Sequence, residues 1–414
     1  MSSPIQEPGP TTRLLGEHTR VSRDQNHGYP LYGRLPSGVL RTIKVTLFQS
    51  YVNWLCFLVP VALTASANDW DASAIFSLNF LAILGLSSVL SFATDELAKS
   101  TGQTVGALVN ATFGNALEMI VGITAVKQGE IRIVQSSMVG SILSGVLLIL
   151  GCTFFFGCYN REWQTFNVDV IGVMISLMVV SCTTLIVPSA LATMTPWKHA
   201  ELESGILLLS RVTSIVLLIF YIVYLYFQLK SHAEIFDGSD TDPDSNADEE
   251  IQLNLWSSSI VLLLATLGVT FCSDALVDSV DGIVDAWHIS RAFIGLIIVP
   301  IVGNAGEFTA AVSAAMAGKM GLAVSLIVSA TLQISLFVTP FLVICGWIIG
   351  QPMSLHFSTF ETVVLAFSVI IVNYIGRDGR ANYLEGILLV GTYVVVGISF
   401  YVHPEDAQVI EASI

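Results

Sequence analysis

Charge is what this sequence has least of. Only 12% of its 414 residues are Asp, Glu, Lys or Arg, against about 25% in an average soluble domain. No basic stripe exists, which excludes a nucleic-acid-binding surface. Cysteine is sparse too. Cys56, Cys152, Cys158, Cys182, Cys272 and Cys345 are scattered, with no pair at metal-ligand spacing, so they read as buried thiols rather than zinc ligands or disulfides. The first 44 residues lack an apolar core, so no cleavable signal peptide is expected and the first span would act as an uncleaved anchor.

What the chain has in abundance is apolar runs of roughly 20 residues, the length that crosses a bilayer as a helix. The expected fold is an all-α polytopic membrane protein with eleven spans, at 45–66, 73–94, 104–126, 133–157, 166–190, 204–228, 255–278, 291–316, 322–349, 357–376 and 383–402. With residues 1–44 in the cytosol, twelve basic residues fall on the cytosolic side and four on the other (Lys127, Arg132, Lys198 and Arg291). The positive-inside rule therefore orients the chain with its N-terminus cytosolic and its 403–414 tail lumenal. The formal charge of -15 is concentrated in one loop and at span ends.

That loop, 229–254, separates two halves that look like a repeat: spans 73–228 and 255–402. At a constant offset of 189, Gly106 meets Gly295, Gly114 meets Gly303, Asn115 meets Asn304, Glu118 meets Glu307 and Gly129 meets Gly318. The first spans of the halves end alike, at Ala93-Thr94-Asp95 and Cys272-Ser273-Asp274. Five spans per half is odd, so the halves enter the membrane in opposite directions, an inverted repeat of the kind secondary transporters use, with a site near the midplane.

The repeated peptides, Gly114-Asn115-Ala116-Leu117-Glu118 and Gly303-Asn304-Ala305-Gly306-Glu307, place a carboxylate inside an apolar span at a cost of about 2.5–3.5 kcal/mol each. Asn and Glu three apart share a helix face. Gly114 and Gly303 let an ion or helix approach the backbone, and Pro300 frees a carbonyl. Together these residues can surround a cation with oxygens; Ca²⁺ takes about 6–8. Two unprotonated glutamates neutralise one divalent ion, and two protonated ones are also neutral. Metal binding expels the protons, so such a site crosses the membrane loaded with one or the other, and each tenfold proton gradient supplies about 1.4 kcal/mol per proton. The alternative is that each Glu is a packing group neutralised by a neighbouring helix.

Other polar residues have two readings each. Ser137 and Ser141 share a face, as do Ser329 and Gln333; they either line the path or let helices pack closely. Asp95, Glu96, Asp274 and Asp278 either relay ions and protons at the pathway mouths or are solvated helix-end acids. Glu361 and Arg211 require partners that the sequence does not name. Asn110-Ala111-Thr112 fits a glycosylation sequon but lies in a span. In the acidic loop, Glu234, Asp237, Asp240, Asp242, Asp244, Asp248, Glu249 and Glu250 either gather cytosolic divalent cations through their field or form a solvated linker.

The run Gly106-Ala107-Leu108-Val109-Asn110-Ala111-Thr112-Phe113-Gly114-Asn115-Ala116-Leu117-Glu118 resembles the first signature of the CAX-type cation/proton exchangers, within the Ca²⁺/cation antiporters. Gly303-Asn304-Ala305-Gly306-Glu307 resembles the second. The likeness extends over all eleven spans and is strongest to the fungal vacuolar members. It implies a peripheral first helix plus two inverted five-helix repeats, Ca²⁺ held by Glu118 and Glu307 with backbone oxygens near Gly114 and Gly303, alternating access driven by a proton gradient with spans 2 and 7 sliding as gates, and a Ca²⁺-binding helix formed by the loop acids. The pattern is broken where a His after the second Glu is Phe308, an Asn in span 2 is Phe92, an Asn late in span 4 is Gly145, and a Gly-Ser-Ser element of span 9 is Ser329-Ala330-Thr331.

The expectation is thus a Ca²⁺/H⁺ antiporter of a vacuolar or other acidic-organelle membrane, with lipid, protons and a divalent cation as partners, no cofactor and no enzymatic activity; homo-oligomers are compatible with the sequence. Exchange of Mn²⁺ or a monovalent cation, or cation binding without transport, are the rivals. An intramembrane hydrolase would require paired aspartates or a Ser-His or metal-ligand set. Arg13-Leu14-Leu15 is a fragment of a dileucine sorting signal without its upstream acid.

Overall fold

The computed structural model describes residues 35–194, 199–232 and 252–402. The loop acids Glu234, Asp237, Asp240, Asp242, Asp244, Asp248, Glu249 and Glu250 lie outside the described residues, as does the 403–414 tail. In chain order the helices are α1 (Leu35–Phe48), α2 (Tyr51–Ala67), α3 (Ala72–Thr101), α4 (Gln103–Phe113), α5 (Ala116–Gln128), α6 (Ile131–Cys158), α7 (Val168–Met194), α8 (Ser204–Ser231), α9 (Leu255–Asp278), α10 (Val280–Trp287), α11 (Arg291–Gly303), α12 (Ala305–Met316), α13 (Met320–Ile349), α14 (Thr359–Ile375) and α15 (Tyr383–Val402). The only strands among the described residues are β1 (Gln164–Thr165) and β2 (Arg380–Ala381), an antiparallel ribbon with Gln164 opposite Ala381.

Among the described residues eight stretches are long and apolar enough to cross a membrane, one of them (Leu108–Gln128) taking in the end of α4 and all of α5, and up to ten if each bent pair counts as one span. Three expected spans look different: 104–126 is interrupted between α4 and α5. The stretch 45–66 is divided between the end of α1 and α2, and 291–316 is broken into α11 and α12. The short amphipathic α10 was not foreseen; it meets α11 at 113°.

Local chemistry sets the ends. Asp71 accepts from the Ser73 N–H to cap α3, and Asn254 accepts from Ser257 to cap α9. The repeat is visible at Gly129 and Gly318. Each stands just beyond a motif helix at φ near +86°, the left-handed conformation glycine adopts without strain. α3 and α9, the first helix of each half, pack against one another more extensively than any other described pair. Glycine permits such closeness elsewhere: a Cβ on Gly140 would sit 2.2 Å from the Leu296 carbonyl oxygen, so α6 and α11 meet backbone to backbone.

A buried ion pair joins the two halves, besides the more exposed pair of Arg291 with Glu130 at 3.5 Å. The guanidinium of Arg132, at the start of α6, donates both Nη atoms to the Glu361 carboxylate at 2.9 Å. Ser136 donates to the same carboxylate at 2.8 Å, and so does the backbone N–H of Ser358 at 2.9 Å. Glu361 is fully buried and is also the third residue of α14, where it completes a capping box with Ser358. Arg211 has a different partner: its guanidinium lies 4.9 Å from the ring centre of Trp347. All six cysteines are free, with Cys158, Cys182 and Cys272 buried.

Candidate cation site at the paired helix breaks

Both motifs fall where a helix is interrupted. α4 stops at Phe113 and α5 restarts at Ala116; α11 stops at Gly303 and α12 restarts at Ala305. Asn115 (φ -106°, ψ 26°) and Asn304 (φ -90°, ψ 13°) occupy the breaks in nearly the same conformation. Each glutamate is therefore the third residue of a fresh helix, in the first turn, where the helix dipole favours negative charge. The break puts a carboxylate and a positive helix end together inside an apolar bundle, and irregular backbone at that depth is tolerated only where protein or a cavity surrounds it.

The two motifs are interlocked across the repeat. Asn115 Nδ2 donates to Gln333 Oε1 on α13 at 2.5 Å. Asn304 Nδ2 donates to the Ser141 carbonyl at 3.1 Å and to the Ser144 hydroxyl, both on α6. Positions 144 and 333 are separated by the same 189 residues as the two asparagines, so each Asn is held by the equivalent position of the other half. π-helical turns occupy Ser144–Ile149 in α6 and Ile334–Val338 in α13, beginning at or just after those partners. Such turns re-aim side chains and often mark functional places.

Glu118 of the first motif lies against Gly303 of the second. A Cβ there would come within 2.7 Å of Glu118 Oε1, so only glycine leaves room for Glu118 in this position. Glu118 is buried, Glu307 half-buried, and Glu118 Oε1 and Glu307 Oε2 are both shielded from solvent without a hydrogen-bond partner. Glu307 is within electrostatic reach of Glu118 and of Asp95. Two buried carboxylate oxygens lacking donors, in a place where water is excluded, call for a proton or a cation. Among the described residues no three His, Cys, Asp or Glu side chains converge as a metal cluster. A cation bound here would need amide, hydroxyl and backbone oxygens from Asn115, Asn304, Ser141 and the glycine breaks beside the two glutamates.

Cavities reach this point from one end of the bundle. One of about 340 Å³ is bordered by Asp95, Asn115, Glu307, Ser329 and Gln333, and extends to Leu229 at the end of α8. A second, of about 760 Å³, is bordered by Ser50, Phe92, Asp95, Asn304 and Phe308. Beyond Glu118 there is only a chamber of about 30 Å³, enclosed by Phe76, Phe80, Met138 and Leu276, with Ser137 and Ser141 on its wall. That is room for a water or two. At the opposite end Asp274 and Asp278 border a separate cavity of about 480 Å³ with Asp69.

A sodium/calcium exchanger protein family model matches residues 72–230 and again 257–402. The chain belongs to that family. Its members are transporters rather than enzymes, and the fold is that of a helical membrane exchanger. The vacuolar calcium ion transporter of Schizosaccharomyces pombe is 43% identical over 370 residues, covering 89% of this chain and 88% of its own. The Ca²⁺/H⁺ antiporter of Aphanothece halophytica is 38% identical, covering 84% and 96%. The crystal structure of the selenium-substituted Ca²⁺/H⁺ antiporter protein YfkE is 30% identical, with a TM-score of 0.72 over 86% of this chain and 100% of that one.

Within this exchanger, the structure brings together Gly114, Asn115, Glu118, Gly303, Asn304, Glu307, Ser137, Ser141, Ser329, Gln333 and Asp95. It separates the other three acids from them. Asp274 and Asp278 border the far cavity, and Glu96 turns away from every cavity described above. Ser91 escaped the sequence reading; Ser144 is one of the small polar residues of span 4, and its pairing with Asn304 was not foreseen. Ser144 lies 189 residues before Gln333, a signal that was present. Ser91 borders both site cavities, and its hydroxyl would sit 2.8 Å from a Cβ on Gly306; nothing in the local sequence marks it. Of the departures from the family pattern, Phe92 and Phe308 are walls of the larger cavity. The space a Cβ on Gly145 would need is filled by Thr331, with Oγ1 at 2.7 Å.

Proposed function

We propose that this protein exchanges cytosolic Ca²⁺ for lumenal H⁺ across the membrane of a vacuole or similar acidic organelle, by alternating access around Glu118 and Glu307. The observation that carries the reading is that Glu118 lies against Gly303 of the other motif, within electrostatic reach of Glu307, and that each glutamate keeps a buried oxygen lacking a donor. The names of the relatives, a vacuolar calcium ion transporter and Ca²⁺/H⁺ antiporters, support Ca²⁺ and H⁺ as the exchanged ions. Their coverage of nearly the whole chain supports extending those activities to it.

The positive-inside rule assigns the end holding Lys99 and Lys230 to the cytosol. The cavities that reach Glu307 and Asn304 open toward that end, so this conformation is cytosol-facing. Ca²⁺ enters past Asp95, and the carboxylates release their protons as it binds. Phe76, Phe80, Met138 and Leu276 close the other direction. The occupied site is neutral with one Ca²⁺ or with two protons, whereas the empty, doubly charged site is disfavoured by the apolar surroundings. Only loaded forms reorient, which couples the fluxes. Asp95 approaches Glu307, but its repeat equivalent Asp274 does not line the Glu118 chamber. This asymmetry is the expected signature of a two-state gate caught on one side.

The test is Ca²⁺ uptake into vesicles of reconstituted protein with an acid interior, for wild type, Glu118→Gln and Glu307→Gln, with protonophore and Mn²⁺ controls. Gradient-dependent uptake lost in either variant is expected. Absence of Ca²⁺ flux in folded wild type, or flux surviving in both variants, would overturn the reading; flux of Mn²⁺ alone would redirect it to that ion.

A further inference from the structure

Glu96 is buried, yet it borders none of the cavities described above. It follows Asp95 on α3, so its side chain projects about 100° around the helix from the cavity-lining acid. Its Oε2 accepts the backbone N–H of Gln252 at 2.7 Å and of Leu253 at 2.9 Å. Its Oε1 lies 3.4 Å from Lys99 Nζ. Gln252 and Leu253 immediately precede Asn254, the residue that caps α9. One carboxylate thus binds the entry of α9 to α3, one residue from Asp95.

Among the described residues the repeat shows no equivalent carboxylate clamp at its other end. Aligning Asp95 with Asp274 puts Ala275 opposite Glu96. Ala275 has no acceptor, and where the clamp would be it borders the 480 Å³ cavity together with Asp69, Trp70 and Ala72, the residues that lead into α3. A buried carboxylate holding two amides and an ammonium is a strong, charge-assisted attachment; an alanine beside a cavity is none.

We propose that Glu96 is a positioning residue. It fastens the start of α9 to α3 at the Asp95 end alone, so that the two helices move as one body and Asp95 keeps its register against Glu307. The proposal rests on the exchange reading above for its consequence in transport, but the attachment itself is measurable without transport.

Hydrogen exchange on the full-length protein reads the attachment. In Glu96→Ala the Gln252 and Leu253 amides should lose protection by at least about tenfold, with Glu96→Gln retaining most of it, since its carbonyl oxygen still accepts. Unchanged protection in Glu96→Ala would overturn the proposal. Uptake reads the consequence. Glu96→Ala should lower the maximal rate about tenfold while half-saturation by Ca²⁺ stays within about threefold, and Glu96→Gln should recover most of the rate. A rise in the half-saturation concentration with the maximal rate kept would overturn it.

A crosslink gives the opposite arm. Position 268 on α9 faces Leu86 on α3, whose Cδ1 would lie 3.1 Å from a Cβ there. With the native cysteines replaced, a Leu86→Cys/Gly268→Cys disulfide should leave uptake largely intact and restore it in Glu96→Ala. If locking the helices together abolishes uptake in the otherwise unaltered protein, α3 and α9 must slide past each other and the proposal fails. Lack of Ca²⁺ uptake in the unaltered protein would instead count against the exchange reading, and the hydrogen-exchange arm would still decide the attachment.

Discussion

Asn115 Nδ2 lies 2.5 Å from Gln333 Oε1, joining the helix break of the first half to the π-turn helix of the second. Gln333 Nε2 in turn reaches the Ser329 hydroxyl at 3.4 Å. A donated NH₂ leaves the Asn115 amide oxygen as an acceptor, turning a helix interruption into a fixed oxygen in the cavity that Glu307 borders. Removing either partner should misplace that oxygen. Asn115→Ala and Gln333→Ala should each weaken Ca²⁺ binding, and the double variant should be weaker by less than the sum, with a coupling of about 1 kcal/mol. Equilibrium binding titrations on the four proteins measure it; strict additivity would separate the two residues.

Gly303 lies directly against Glu118. Its Cβ in Gly303→Ala would stand 2.7 Å from Oε1, so the carboxylate must turn away. Ca²⁺ affinity should fall about tenfold, as overpacking costs on the order of 1–3 kcal/mol. Gly172→Ala, at a place where a Cβ meets nothing within 4 Å, is the control and should bind Ca²⁺ as wild type does.

Stability rests elsewhere. Glu361 is buried with two hydrogen bonds from Arg132, one from Ser136 and one from the Ser358 N–H. Arg132→Ala leaves that carboxylate charged and underpaired, and should lower stability by about 3 kcal/mol. The double replacement Arg132→Met/Glu361→Leu removes both charges and should cost less than either single change to alanine. Thermal unfolding in detergent, with Ca²⁺ absent, distinguishes the two outcomes.

Phe308 adjoins Glu307 and walls the 760 Å³ cavity. Phe308→His would put a titratable, hydrated group where an aromatic ring now excludes water. Uptake should become faster in Phe308→His and should acquire a steeper dependence on cytosolic pH between about 5.5 and 7.5, the range in which imidazole titrates. Initial rates across that range give the answer; a rate no greater than wild type at every pH would mean that the phenylalanine costs nothing.

The site was legible from sequence because charge inside an apolar span is costly, so a repeated Glu beside Gly-Asn has few uses. Most span limits were legible for the same reason: α9 and α15 begin and end where the apolar runs do. The breaks at Asn115 and Asn304 were not, since the same residues could continue a helix and only the cross-repeat bonds to Gln333 and Ser144 show why they do not. Arg132 and Glu361 are 229 residues apart, and pairing over such a distance leaves no local signature. Glu96 was read with Asp95 as a mouth acid because neighbours in sequence share a composition; around a helix they face different surroundings.

The exchange of partners between the halves also bears on the protein's ancestry. Two copies of a five-helix unit, paired head to tail as separate chains, would present the same residue at both gripping positions, and every mutation would strike both. Fused in one polypeptide, the positions are free to drift independently. They have done so: Ser144 is short and Gln333 long. The two halves therefore grip one another unequally, and a change at either position need not be matched by its twin.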